Sequence, residues 1–142
     1  MDYSYIIIPL IVLISSQALK LATDGIRGNF DLKNIFISYG GMPSSHTAFA
    51  VSITTLIGLR VSFTAPIFAM SLVFTLLIMR DASTFRRLLG QQAKVFNRFI
   101  NGLPPEQRKD LPLFRERMGH SLMEVIVGAV WGVGLTFLLN LL

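Results

Sequence analysis

Between Val61 and Met79 the chain carries no charged side chain. A run of about 20 mainly apolar residues is what a helix needs to cross the hydrocarbon core of a bilayer. Lipid offers the backbone no hydrogen-bond partner, so a spanning segment of this kind has to be helical. Three other stretches share the pattern: Tyr3–Leu21, the shorter Ser44–Leu59, and Ser121–Leu142. Ser44–Leu59 is rich in Ser and Thr and reads as a helix shielded from lipid by its neighbours. The last stretch holds a single ionisable residue, Glu124. Charged residues make up 15% of the 142, well below the quarter or so typical of soluble domains, so the composition agrees with lipid as part of the solvent. The expectation is one membrane-embedded domain over residues 1–142. Its fold class is all-α: an integral membrane helical bundle of about four transmembrane helices plus an amphipathic interfacial helix. The first stretch lacks the basic leading region of a secretory signal and reads as a retained transmembrane helix.

The placement of Lys and Arg sets the expected orientation. Lys20, Arg27 and Lys33 lie in the first connection and nine more lie from Arg80 to Arg117, leaving Arg60 alone at the opposite face. Both basic connections are therefore expected in the cytoplasm, in a protein of the cell membrane with both termini outside. The same bias accounts for the net charge of +5 without invoking nucleic acid. The segment Asp81–Asn101 reads as a helix with one polar stripe of Arg87, Gln91, Lys94 and Arg98, and an opposite side of Leu88, Leu89, Val95, Phe96, Phe99 and Ile100. A basic amphipathic helix suits the headgroup region, and Gly102 and Pro104-Pro105 end it. Cysteine is absent, which excludes disulfides and thiolate metal sites.

Two histidines, His46 and His120, each open an apolar helix at the expected cytoplasmic face. His46 follows Gly40-Gly41-Met42-Pro43-Ser44-Ser45, and His120 precedes Glu124 by four residues, on one helix face. Lys20 ends the first span at the same depth. Free N–H groups at a helix start attract anions. A Gly-Gly-x-Pro-Ser-Ser turn brings further amides and hydroxyls close, and Lys or Arg neutralises phosphoryl charge. One imidazole can attack phosphorus while another protonates the departing oxygen. This chemistry calls for no cofactor and no metal, and the sequence shows no carboxylate cluster to hold one.

These stretches resemble the divergent branch of the type 2 phosphatidic acid phosphatase superfamily, which also includes vanadium-dependent haloperoxidases. Its signature reads K-x6-R-P, P-S-G-H and S-R-x5-H-x3-D. Lys20 and Arg27 match the first part, with Gly28 in place of Pro; Pro43-Ser44-Ser45-His46 matches the second, with Ser for Gly. His120-x3-Glu124 matches the third, with Glu for Asp. The resemblance implies that His120 is the nucleophile, Glu124 its orienting partner and His46 the general acid. Lys20, Arg27, Ser44 and Ser45 would hold phosphate oxygens. The third-motif arginine has no counterpart, Phe114 standing where it belongs; Arg115, Arg86 or Arg87 could supply the charge.

The expected function is a lipid-phosphate phosphatase that works through a phosphohistidine without metal, on a membrane lipid phosphate in the bilayer. The alternative is a non-catalytic phospholipid-binding or scaffold protein that retains the pocket. Several features also carry a purely structural reading. Ser121-x-x-Glu124 is a capping box, Ser44 or Ser45 can cap a helix, and Asp81 with Arg86 or Arg87 can be a structural ion pair. Gly128 and Gly132 form a G-x-x-x-G pair that permits close packing within or between subunits. Four short helices make a small bundle compatible with a homodimer.

Overall fold

A computed structural model describes residues 3–26, 41–116 and 118–142. The described residues form helices and turns: α1 (Ser4–Ile26), α2 (Ser45–Arg60), α3 (Pro66–Arg80), a π-helical turn (Asp81–Phe85), α4 (Arg86–Asn101), the short α5 (Pro105–Arg108) and α6 (Leu122–Asn140). The all-α expectation holds. Among the described residues, three helical stretches are long and apolar enough to cross a membrane: Ser4–Thr23, Pro66–Asn101 and Leu122–Asn140. Their outer faces carry exposed Ile6, Ile14, Val73, Phe74, Leu76, Val130 and Phe137. Large apolar side chains on so much of the surface suit a lipid solvent.

The segment expected as a short, shielded second span forms α2. α2 has 16 residues, roughly 24 Å of helix against a hydrocarbon core of about 30 Å. By length alone it falls short of a span. It is the hub, touching α1, α3 and α6, with Ala48, Ala50, Ser52, Thr54, Leu56 and Gly58 buried among them, as its Ser and Thr content leads one to expect. Small side chains let neighbouring backbones come close, which is what helix association in lipid depends on. The closest approach is to α6. A Cβ added at Gly128 would lie 2.5 Å from the Ser44 carbonyl oxygen, and one at Gly132 would lie 2.6 Å from that of Ala48. The G-x-x-x-G pair thus serves packing within the chain, against the first turn of α2.

Hydroxyls and one indole complete the contacts. Thr136 Oγ1 donates to Ser52 Oγ at 2.6 Å, and Trp131 Nε1 donates to Ser15 Oγ at 3.1 Å. Thr75 Oγ1 donates to the Ala50 carbonyl at 3.1 Å, which leaves Thr54 as donor in its 2.8 Å bond with Thr75. Arg60 marks one end of the bundle, donating to Asn140 Oδ1 at 2.6 Å and lying over the Tyr5 ring. The start of α1 and the ends of α2 and α6 therefore meet at one face. The other ends, which bear Lys20, Ser44 and Glu124, meet at the opposite face.

The amphipathic helix is not the separate element expected. It continues α3 through the π turn, so Pro66–Asn101 is one helical run of 36 residues. That run is roughly 54 Å long, so a straight passage leaves roughly 24 Å beyond the hydrocarbon core. Arg87, Gln91, Lys94 and Arg98 are all exposed, as the stripe implies, and so are Leu88, Leu89, Val95, Phe96 and Phe99. Ile100 is buried. A third side of α4, with Gly90 and Asn97, is covered by the chain leading to α6. Buried Asn97 donates to the Phe114 carbonyl at 2.7 Å and to Glu116 Oε1 at 2.9 Å, and its Oδ1 accepts from the Phe114 N–H at 2.8 Å. The loop before α6 is thereby pinned to α4.

Gly132→Val should destabilise the bundle by about 1–3 kcal/mol, because backbone rather than a yielding side chain meets the added atoms. Thr136→Val should cost only about 0.6 kcal/mol, the usual worth of one hydrogen bond between membrane helices. Denaturation of both variants in detergent checks the ranking; a larger loss for Thr136→Val would mean that hydroxyl bonding, not close approach, holds α6 to α2.

Candidate functional site

The polar groups at the Lys20, Ser44 and Glu124 ends of α1, α2 and α6 are joined through the main chain. Gly41 takes a positive φ of 96°, and the following turn delivers the Ser44 N–H to the Glu124 carbonyl at 2.9 Å. Thr23 Oγ1, near the end of α1, bonds the Met42 carbonyl at 2.8 Å. The turn before α2 is thus held by both flanking helices.

Glu124 is the centre of this arrangement. Its Oε2 accepts from the Ser121 N–H at 3.1 Å while Ser121 Oγ accepts from the Glu124 N–H, a complete capping box. The same Oε2 stands 3.0 Å from His120 Nδ1. Capping and histidine contact are therefore two uses of one carboxylate. An ionised carboxylate only accepts, so Nδ1 is the donor in this contact. His120 itself is buried, and its N–H donates to the Ala82 carbonyl at 2.9 Å.

His46 and His120, 74 residues apart in the chain, line one cavity of about 520 Å³. Ala82, Asp81 and Arg86 share the wall beside them, and Phe49, Phe74, Leu77 and Ile78 form an apolar side. Phe74 and Leu77 are exposed on the outer surface of α3. The cavity therefore joins a polar end at the imidazoles to a surface that lipid would cover.

The remaining candidates are placed as follows. Lys20 is buried and close enough to His46, as are Arg86 and Asp81, to act on its charge. It does not line the cavity wall. Ser44 is fully buried with its Oγ bonded to Thr47 Oγ1 at 3.0 Å, and makes no side-chain cap. Ser45 is buried too, and its Oγ has no hydrogen-bond partner among the described residues, as is true of Gln17 Oε1. Arg27 lies outside the described residues. Arg87 and Arg115 are exposed and are not among the cavity's lining residues; the arginine on the wall is Arg86. Its Nε donates to Asp81 Oδ2 at 2.6 Å, so the ion pair considered from sequence forms between these two. The apolar wall was not foreseen, although Phe74, Leu77, Ile78 and Asp81 fall at i, i+3, i+4 and i+7, a signal legible in the sequence. Among the described residues no group of three or more His, Asp or Glu side chains is placed to hold a metal ion.

Removing the Glu124 carboxylate should free the His120 ring. Nitrogen NMR of labelled histidine should show one tautomer at His120, protonated at Nδ1, in the native chain and a mixture in Glu124→Ala. A mixture already present in the native chain would contradict the assignment.

A family model described as the divergent PAP2 family matches residues 1–135. The uncharacterized membrane protein YuiD of Bacillus subtilis (strain 168) is 32% identical over 146 residues, covering 92% of this chain and 89% of that protein. No solved structure matches the chain.

Proposed function

The chain is a membrane protein of the divergent PAP2 family, and from that premise we propose that it is a lipid-phosphate phosphatase acting through a phosphohistidine. The observation that carries this reading is the shared cavity, with two imidazoles at one end and an apolar wall reaching the outer surface of α3. A lipid phosphate has the same division. Its headgroup would meet His46 and His120 while its chain lies along Phe74 and Leu77.

In the first step His120 Nε2 attacks phosphorus, and the bond between phosphorus and the lipid oxygen breaks. His46 gives its proton to that departing oxygen. Glu124, bonded at Nδ1, holds the ring and stabilises the positive charge it gains. In the second step water attacks the phosphohistidine, passes a proton to His46 and releases inorganic phosphate. Lys20, Arg27, Ser44 and Ser45 would contribute by countering or binding the phosphoryl oxygens. Ser45 Oγ, buried and unbonded, is the hydroxyl with most to gain from such a ligand.

We place α2 across the membrane as a fourth span, shielded by α1, α3 and α6, with the cavity at the cytoplasmic face. The support is the charge distribution: among the described residues Arg60 marks one end, and Lys20, Arg80 and Arg86 lie toward the other.

Phosphate release by purified protein from a panel of phosphatidic acid, phosphatidylglycerol phosphate and polyprenyl phosphates tests the reading. Turnover should persist with a chelator present and stop with vanadate. His120→Ala should abolish it, and His46→Ala should slow it about 10²–10⁴-fold, the usual worth of a general acid. Turnover that survives His120→Ala would rule out the phosphohistidine. Binding without turnover across the panel would favour a lipid-binding protein instead.

A further inference from the structure

Asp81 and Arg86 are five residues apart yet bonded at 2.6 Å. On a regular α-helix such residues lie about 140° apart around the axis, and helix-surface pairs form at spacings of three or four. A π turn changes this, since its i→i+5 bonding widens the turn and brings the fifth residue onto the same side. The π turn spans Asp81–Phe85, so the pair and the irregularity coincide. π turns of this kind occur often at functional sites.

The turn is also tied to the loop that carries His120. The Ala82 carbonyl accepts the His120 N–H at 2.9 Å. Gly119 has a φ of +80°, and a Cβ there would lie 2.6 Å from the Arg87 nitrogen and 3.1 Å from the Ala82 oxygen. Only glycine combines that conformation with that approach. Main chain therefore meets main chain, and Asp81 and Arg86 end on the wall that His46 and His120 share. Arg87, the neighbouring residue, is left exposed.

We propose that Arg86 binds the phosphate group in the cavity, in place of the arginine missing upstream of His120, and that Asp81 and the π turn position it. The inference rests on the reading of the cavity as a phosphate site, and not on turnover there. A guanidinium suits the task because its planar fork of donors matches phosphoryl oxygens. Asp81 offsets part of the positive charge, and in return fixes the direction of the fork through Nε.

The test is binding of a short-chain phosphonate analogue of phosphatidic acid, whose phosphorus–carbon bond no displacement breaks, against the matched diacylglycerol. The native chain should prefer the phosphonate. Arg86→Ala should cut that preference about tenfold or more, as expected for a charge-assisted hydrogen bond. Arg86→Lys should recover part of it, Asp81→Asn should fall between, and Arg87→Ala should leave it unchanged. Should Arg86→Ala fail to fold, Arg86→Gln decides, since it keeps a donor for Asp81 and loses the charge. Undiminished preference in Arg86→Gln or Arg86→Ala overturns the assignment, as does an equal loss in Arg87→Ala or no preference in the native chain. Inorganic phosphate as competitor separates the sources. If it binds as tightly as the phosphonate and depends equally on Arg86, the assignment stands for the free ion. If the preference and its loss hold while no lipid phosphate is hydrolysed, the phosphatase reading fails and the role of Arg86 stands.

Discussion

Two glycines on α6 let its backbone lie directly against the first turn of α2, and the rest of the site follows from that approach. Gly128 faces the Ser44 carbonyl and Gly132 that of Ala48, with no room for a methyl group at either. At this distance the Ser44 N–H reaches the Glu124 carbonyl. His46 and His120 sit at the neighbouring helix starts, so the same contact sets the separation of the two imidazoles. A larger side chain at either glycine would push apart the groups that line the cavity as well as the helices.

The medium explains why packing is organised in this way. Lipid tails are as apolar as leucine, so burying apolar side chains gains little and close packing with polar bonds has to hold the helices together. The chain accordingly exposes Ile, Phe and Val to its surroundings and buries Ser, Thr and Gly around α2. Glu124 joins these two levels. One carboxylate oxygen completes the cap of α6 and holds the His120 ring, so a fold-forming contact and a proposed catalytic one cannot be altered separately.

What the sequence discloses is what repeats locally. Runs without charge mark the spans; the Ser and Thr content of α2 announces its shielded place. His120 and Glu124, four residues apart, share a face on any helix. Contacts set by distant parts of the chain were less open. Gly128 and Gly132 announce a close approach without naming its partner, which is α2. Asn97 lies between Phe96 and Arg98 on an amphipathic pattern, and nothing nearby shows that it captures Phe114 and Glu116. The arginine that replaces the third motif's was undecided among Arg115, Arg86 and Arg87, and regular helical periodicity cannot anticipate the π turn that puts Arg86 on the cavity wall. Likewise, reading Asp81–Asn101 as a separate helix followed from its change in polarity, whereas backbone hydrogen bonding runs on unbroken from α3.

The central claim is that His120 receives a phosphoryl group in a cavity it shares with His46. Mass spectrometry of the protein, quenched in alkali during incubation with a lipid phosphate it hydrolyses, reads this directly. The account predicts a phosphoryl adduct on His120 that forms with the native chain and is absent from His120→Ala. Hydrolysis with the adduct on another residue, or with His120 never modified, would contradict it.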